Sequence, residues 1–283
     1  MERKRRRLWL VLLCGFVLVS LSFKNARDRS VGAVALPCNE KTFASGGEAS
    51  GLPPTQYFYS DQYGWFDSSH FDTGNPGGVI ADVDRVIGYG GGVVAISQGV
   101  QNGVTGYTGY YWVSGQLTAD QVIGVALGVY MDWSWRFEAW QGEPPRSILA
   151  PFTSFAVEDL PSQYLGFYAQ ALEIPIDHIL ACYLGEVTAT VESPPHWVIQ
   201  ELSDEAATET GLQRLQNSTF YPMVEVDGSW QIMPWPAELR LTPVDSARNT
   251  WRFLVGETWY LNAETGREKS MDLPLSLRLE EPR

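Results

Sequence analysis

The sequence predicts an α+β protein: a helical core with short strands, plus a small β-rich C-terminal unit. Three observations carry this. Residues 118–140 form an almost wholly apolar stretch in which Val122, Val125, Ala126, Val129, Trp133, Phe137 and Trp140 repeat at helical spacing. Residues 93–112 alternate β-branched and aromatic side chains with Gly99, Asn102-Gly103, Gly106 and Gly109, the pattern of strands broken by tight turns. Near the C-terminus, Asp227-Gly228-Ser229 stands between two strand-like runs, a hairpin signal.

Taken in chain order, the protein opens with Arg3, Lys4, Arg5, Arg6 and Arg7 before an uncharged apolar run, residues 8–23. A basic cluster stays on the cytoplasmic side while an apolar run enters the bilayer, so the chain from Lys24 onward is expected outside the cytoplasm. Sixteen residues of helix span about 24 Å against a hydrocarbon core of about 30 Å, with flanking Arg and Lys able to snorkel. Two readings stand: a single-pass membrane anchor, or a signal segment cleaved after the small residues Ser20 and Ser22 or at the more distant Ala33-x-Ala35. Leu13 before Cys14 is too bulky for lipoprotein processing.

Residues 1–23 carry five basic side chains and one acidic one, a net +4, which leaves −17 of the chain's −13 on the remainder. So acidic a surface repels phosphate backbones and anionic headgroups, which argues against nucleic acid as a partner. Residues 24–56, rich in Ser, Gly and Pro, read as a polar tether. Residues 57–190 read as the core domain, 191–216 as an acidic connection, and 217–283 as the β-rich unit, either a subdomain or an extension of the core sheet. Within that unit a second hairpin is expected between 251–255 and 258–261, around Gly256-Glu257.

In the core, Thr118 is the expected N-cap of the long helix, and Gly124 and Gly128 would admit another backbone against it. A second helix is expected to open at Glu158-Asp159, whose carboxylates suit its positive end, with a short helix after Pro175. Gly88-Tyr89-Gly90-Gly91-Gly92 lacks the Lys and Ser/Thr of a phosphate cradle and reads as a turn between helix and strand. Cys38 and Cys182 either pair or stay as free thiols.

Three strings attract chemical interest: residues 64–70 (GWFDSSH), Phe137-Glu138-Ala139-Trp140, and residues 154–166 (SFAVEDLPSQYLG). Over residues 57–185 the chain resembles a family of bacterial exported and lipoprotein-type domains of unknown function, through its Gly-x-x-Asp-x-x-His, Glu-x-Trp and Glu-Asp-Leu-x-Ser elements. The lipoprotein cysteine of some relatives has no well-formed counterpart here. The resemblance implies a residue set and a fold neighbourhood; it implies no reaction.

The chemistry of that set is legible in part. Asp67 and His70, three apart, fit one helical turn, where the carboxylate would fix the imidazole tautomer or else merely cap the turn. Glu138, among tryptophans, needs a partner or a raised pKa, and Glu158 and Asp159 either complete a site or serve as caps. One imidazole with several carboxylates suits a general acid/base set, or a divalent metal held by His70 and Glu138. No H-E-x-x-H, G-x-S-x-G or G-x-x-x-x-G-K occurs. Three classes of function remain. One is an extracytoplasmic hydrolase of a cell-envelope polymer, with His70 as base or metal ligand, Asp67 orienting it, and Glu138 or Glu158 as acid or second ligand. Another is a module binding glycan or peptide through the aromatics of residues 107–112, and the last is a structural envelope protein whose motif residues form a buried polar network.

Overall fold

The structure is a computed structural model that describes residues 34–35, 57–100, 104–143, 155–192, 194, 220–246, 249–261 and 268–270. All of these lie in one compact unit, Val34–Arg283. The basic and apolar N-terminal segment, Cys38, His196 and nearly all of the acidic connection lie outside the described residues, and no described helix is long and apolar enough to cross a membrane.

The architecture is α+β, as expected. A first antiparallel sheet has the order β1 (Val34–Ala35), β6 (Val187–Thr190), β2 (Tyr57–Ser60), β3 (Gly64–Asp67). A second has the order β10 (Glu268–Ser270), β9 (Trp251–Leu261), β5 (Thr105–Ser114), β4 (Gly91–Val100). A two-stranded ribbon joins β7 (Met223–Val226) to β8 (Ser229–Ile232) through Asp227 and Gly228, both at positive φ, as an Asp-Gly hairpin turn requires. The helices are α1 (Pro76–Gly88), α2 (Val122–Gly142), α3 (Asp159–Leu172) and α4 (Ile176–Tyr183).

Most helical expectations hold. Gln121 Oε1 accepts from Thr118 N at 3.1 Å at the start of the long helix, and Val244 N donates to Gly124 O at 2.7 Å where the two small residues let the 242–244 segment lie against α2. Trp133, Tyr130, Phe137 and Leu127 of α2 are completely or almost completely buried and form the centre of the core with Phe167 and Leu165 of α3. At about 1.5–3 kcal/mol for each such side chain removed from water, this helix is the largest single source of hydrophobic stabilisation. The glycine-rich string after α1 is the expected helix-to-strand turn, with Gly90 and Gly91 at positive φ.

Several strand expectations are corrected. Residues 93–112 do not fold as several short strands: Gly106 and Gly109 sit inside ten-residue β5, facing the rings of Trp259 and Trp133. Gly256-Glu257 is not a turn either. Residues 251–261 form one continuous strand in which Gly256 pairs with Gly109, and the missing side chain makes room for the Tyr107 phenol that packs across it. Strand β9 therefore extends the sheet of β4 and β5. Val34–Ala35, within the expected tether, instead pairs with Ala189 and Thr188. Cys182 is disulfide-bonded, and its partner sulfur lies outside the described residues.

Candidate functional site

Three segments distant in the chain meet at one acidic cluster. The first is the end of β3, where Asp67 caps a single 3-10 turn, Ser68–His70, by accepting from Ser69 N at 2.8 Å. The second is the last part of α2, which carries Glu138. The third is the turn 155–158 and the first turn of α3, with Glu158, Asp159, Ser162 and Gln163. Ser162 Oγ accepts from Asp67 N at 2.8 Å, so α3 is fastened directly to the strand that delivers His70. Gly166, one turn further along, faces the Phe71 carbonyl so closely that any Cβ would overlap it. The sequence places a glycine there because the helix must lie flat against the His70–Phe71 backbone.

His70 Nδ1 lies 2.9 Å from Asp159 Oδ1, with side-chain exposures of 23% and 5%. The oxygen is close but off the line of the ring N–H, so the contact is mainly one of charge, and Nδ1 has no well-directed hydrogen bond. The buried nitrogen is thus Nδ1, and the exposure left to the ring lies at its other edge. Asp159 also closes the turn that leads into its helix, accepting from Ala156 N at 2.8 Å through Oδ2. The helix has no side-chain cap, so the capping role the sequence allowed Glu158 and Asp159 is not taken up. The expected orienting partner of His70 was Asp67; the structure gives that position to Asp159, because Asp67 is turned into the cap of its own 3-10 turn and acts on the ring through its charge.

Glu138 is completely buried. Its Oε1 accepts from Gln163 Nε2 at 2.8 Å and its Oε2 from Phe155 N at 3.3 Å. Phe155 presents that N–H from a left-handed backbone, φ 58°, a conformation costly for an aromatic residue and found where the surroundings impose it. Arg136 is directed elsewhere, to Asp132 at 2.6 Å. Besides His70 Nδ1, two polar atoms of these residues stay buried without a hydrogen-bond partner, Glu158 Oε2 and Gln163 Oε1.

The electrostatics follow from burial and crowding. Burial of the His70 ring alone would lower its pKa, but the charge and contact of Asp159, with the charges of Glu138 and Asp67, push it up to about 10. Burial raises the Glu138 carboxyl well above its ordinary value, and the Asp159 charge raises it further against the opposing pull of His70. Burial, then Asp159, raises Glu158 to about 8. At neutral pH the cluster therefore holds an imidazolium beside carboxyl groups that favour their protonated form.

That charge state revises two sequence expectations. An imidazolium is not a base at neutral pH, whereas Glu158, at about 8, titrates near neutrality. Nor do the residues fit a divalent metal: the inward nitrogen of His70 faces a carboxylate, and among the described residues no group of three or more His, Cys, Asp or Glu side chains is placed to hold an ion.

Sequence reasoning named His70, Asp67, Glu138, Glu158 and Asp159, and the structure brings all five together. It passed over Ser162, Gln163 and Phe155. Gln163 carried a usable signal, four residues after Asp159 and so on the same face of the helix. Of the aromatics at residues 107–112, Tyr107 and Tyr111 are buried in the core, while Tyr110, whose OH donates to Glu257 at 3.1 Å, and Trp112 stay half-buried. The His178 ring lies edge-on to Tyr183 and near the Cys182 sulfur. Comparison of the chain with protein-family models, with curated proteins and with solved structures gives no significant match, so the site rests on its own geometry.

Proposed function

We propose that the protein is an extracytoplasmic acid/base enzyme, a hydrolase of a cell-envelope polymer, held at the membrane by residues 8–23 or released by cleavage after them, and related to the exported-domain family its three motifs resemble. The observation that carries this reading is the pairing of a partly exposed His70, 2.9 Å from Asp159, with a neighbouring carboxyl, Glu158, poised at about 8. A proton donor works best when its pKa lies near the working pH, and Glu158 meets that condition. His70, cationic at neutral pH, stabilises negative charge that develops on the substrate. In the hydrolytic step the bond to the leaving group breaks as Glu158 gives it a proton. Water adds its hydroxyl to the other half of the substrate and returns its proton to the Glu158 carboxylate. Asp67 and Asp159 hold the imidazolium, while Glu138 positions the turn 155–158 through Phe155 N.

The test uses full-length protein in detergent, purified cell walls as substrate, and release of soluble fragments as readout. His70→Ala and Glu158→Gln should each lower the rate at least about a hundredfold, with their circular dichroism unchanged and no effect of a chelator on the wild type. Wild-type protein that is folded yet releases nothing from walls sinks the enzyme reading.

A second reading has one specific observation in its favour. Glu138 has no exposure and both of its oxygens are bonded within the protein, which is how a purely structural polar network looks. In that case Glu158→Gln would change stability alone.

A further inference from the structure

Each segment that contributes an acid to the cluster also carries a half-buried aromatic at the spacing that places both on one face. On β3, Trp65 is two residues before Asp67, and alternate residues of a strand share a side. On α2, Trp135 is three residues before Glu138, one helical turn away. In the turn before α3, Phe155 is three residues before Glu158. The rings are contiguous: Trp135 lies 5.7 Å from Phe155, while Trp65 and Phe155 both pack against the small cluster of Ala156, Val157 and Met223. Trp230 of the β7–β8 ribbon packs on the same cluster, and its indole N–H is buried with no hydrogen-bond partner. Tyr59, cross-strand from Trp65 with ring centroids 4.9 Å apart and 36% exposed, extends the aromatic run outward.

From this arrangement we infer that the rim of the acid cluster is a sugar-binding wall and that the polymer acted on is an uncharged glycan. The inference rests on the hydrolase reading and supplies its substrate class. A pyranose ring has an apolar C–H face that stacks on an aromatic ring and an edge of hydroxyls that bond to carboxylates and indole N–H groups. Aromatics interleaved with acids present both kinds of partner within one ring's width. A peptide would instead be read through its backbone, as a strand added to β3, the outer strand of its sheet, which β2 pairs on one side only; that mode uses main-chain groups and not ring faces. Anionic polymers are disfavoured by a net charge of −13. For such a substrate the bond that breaks joins the anomeric carbon to the leaving oxygen; the Glu158 proton goes to that oxygen, water's hydroxyl to the carbon, and water's remaining proton to the Glu158 carboxylate. The His70 imidazolium, held by Asp159, steadies the leaving oxygen as its bond to the anomeric carbon lengthens.

Binding can be separated from turnover. Full-length protein in detergent is titrated with the tetramer of N-acetylglucosamine, and in parallel with an uncharged alanine pentapeptide, while tryptophan fluorescence and heat are followed in the wild type and in Glu158→Gln. The glycan should bind both proteins and shift tryptophan emission, and the pentapeptide should bind neither. Trp65→Ala should weaken glycan binding at least tenfold, Trp65→Phe by a smaller factor, and Trp112→Phe, on the other sheet, not at all. Should Trp65→Ala misfold, Trp65→Phe and the emission shift still decide. Glycan binding without hydrolysis of any wall polymer would overturn the hydrolase reading and leave the sugar wall standing. Hydrolysis of wall peptide with no glycan binding, or Trp65 variants that bind glycan as well as wild type, would overturn the sugar wall.

Discussion

His70 and Asp159 form an ion pair across two elements, with Nδ1 and Oδ1 2.9 Å apart at the junction of the 3-10 turn after β3 and the first turn of α3. The same carboxylate closes the turn before α3 through its other oxygen. The charge beside the imidazole and the turn that opens the helix are thereby tied to one side chain, and changes at this position should disturb both.

Asp159→Asn tests that coupling. The amide keeps an acceptor for Ala156 N but removes the largest of the charges that together outweigh the burial of His70. The His70 pKa, followed by the ring resonances in NMR, should fall well below 10. Stability should drop by about 1–3 kcal/mol, less than for a fully buried pair because the ring keeps 23% exposure.

The pH dependence of stability has a definite sign. Glu158 and Glu138 titrate higher in the folded chain than the usual carboxylate value of 4.5, so the native state holds protons that the unfolded chain has released. His70, raised from 6.5 to about 10, does the same. Each contribution is complete below the unfolded pKa and is lost as pH rises through the folded one, so stability should decline from about pH 4.5 through 8 and on to 10. Denaturant unfolding at a series of pH values should show a loss on the order of a few kcal/mol across that window. Glu158→Gln, which mimics the protonated acid, should flatten the part of the decline below pH 8. A wild-type profile that rises over this range would contradict the burial of these acids.

Glu138→Gln should leave stability within about 1 kcal/mol of wild type, because the amide oxygen can keep the bond from Phe155 N while the new NH2 donates to Gln163 Oε1 once the Gln163 amide turns over. Glu138→Leu should cost about 2–3 kcal/mol by stranding both donors. Thermal melts of the two variants separate hydrogen bonding from charge. Equal melting of both would show that the two donors find other partners.

Gly166→Ala should cost about 3 kcal/mol or more, since a methyl group there meets the Phe71 carbonyl, which is backbone and has little room to retreat. The helix would have to lift from the strand that carries His70. A near-neutral melting temperature would mean that α3 and this strand do not pack as described.

Much of the fold was legible wherever a single element carries its own signal. The period of α2, the Asp-Gly turn at 227–228 and the acidic opening of α3 are local facts, written in neighbouring residues and read correctly from them. The strands misled because glycine has two meanings. At Gly228 it marks a turn, whereas at Gly106, Gly109 and Gly256 it makes space within a strand for Trp259, Trp133 and Tyr107, which approach from elsewhere in the chain. Nothing within a few residues of Gly256 announces that Tyr107 will cross it.

The site shows the same division. The residue types were visible because a histidine and acids in compact motifs stand out from an otherwise ordinary sequence. The partnership was assigned wrongly, with Asp67 chosen over Asp159, since proximity in the chain favoured the former. Only the seating of Gly166 on Phe71 and the Ser162 bond to Asp67 N bring the distant carboxylate to the ring. The charge state was hidden for a similar reason: burial of Glu138 depends on Gln163 and Phe155, which belong to other segments.

The assembly of this centre from β3, α2 and α3 has a consequence for timing. Long-range loops must close before His70 meets Asp159 or Glu138, and contacts so far apart in the chain form slowly. A chain that has not yet produced Gln163 carries these groups as ordinary side chains. The altered charge state of the cluster therefore arises only once the whole polypeptide has folded.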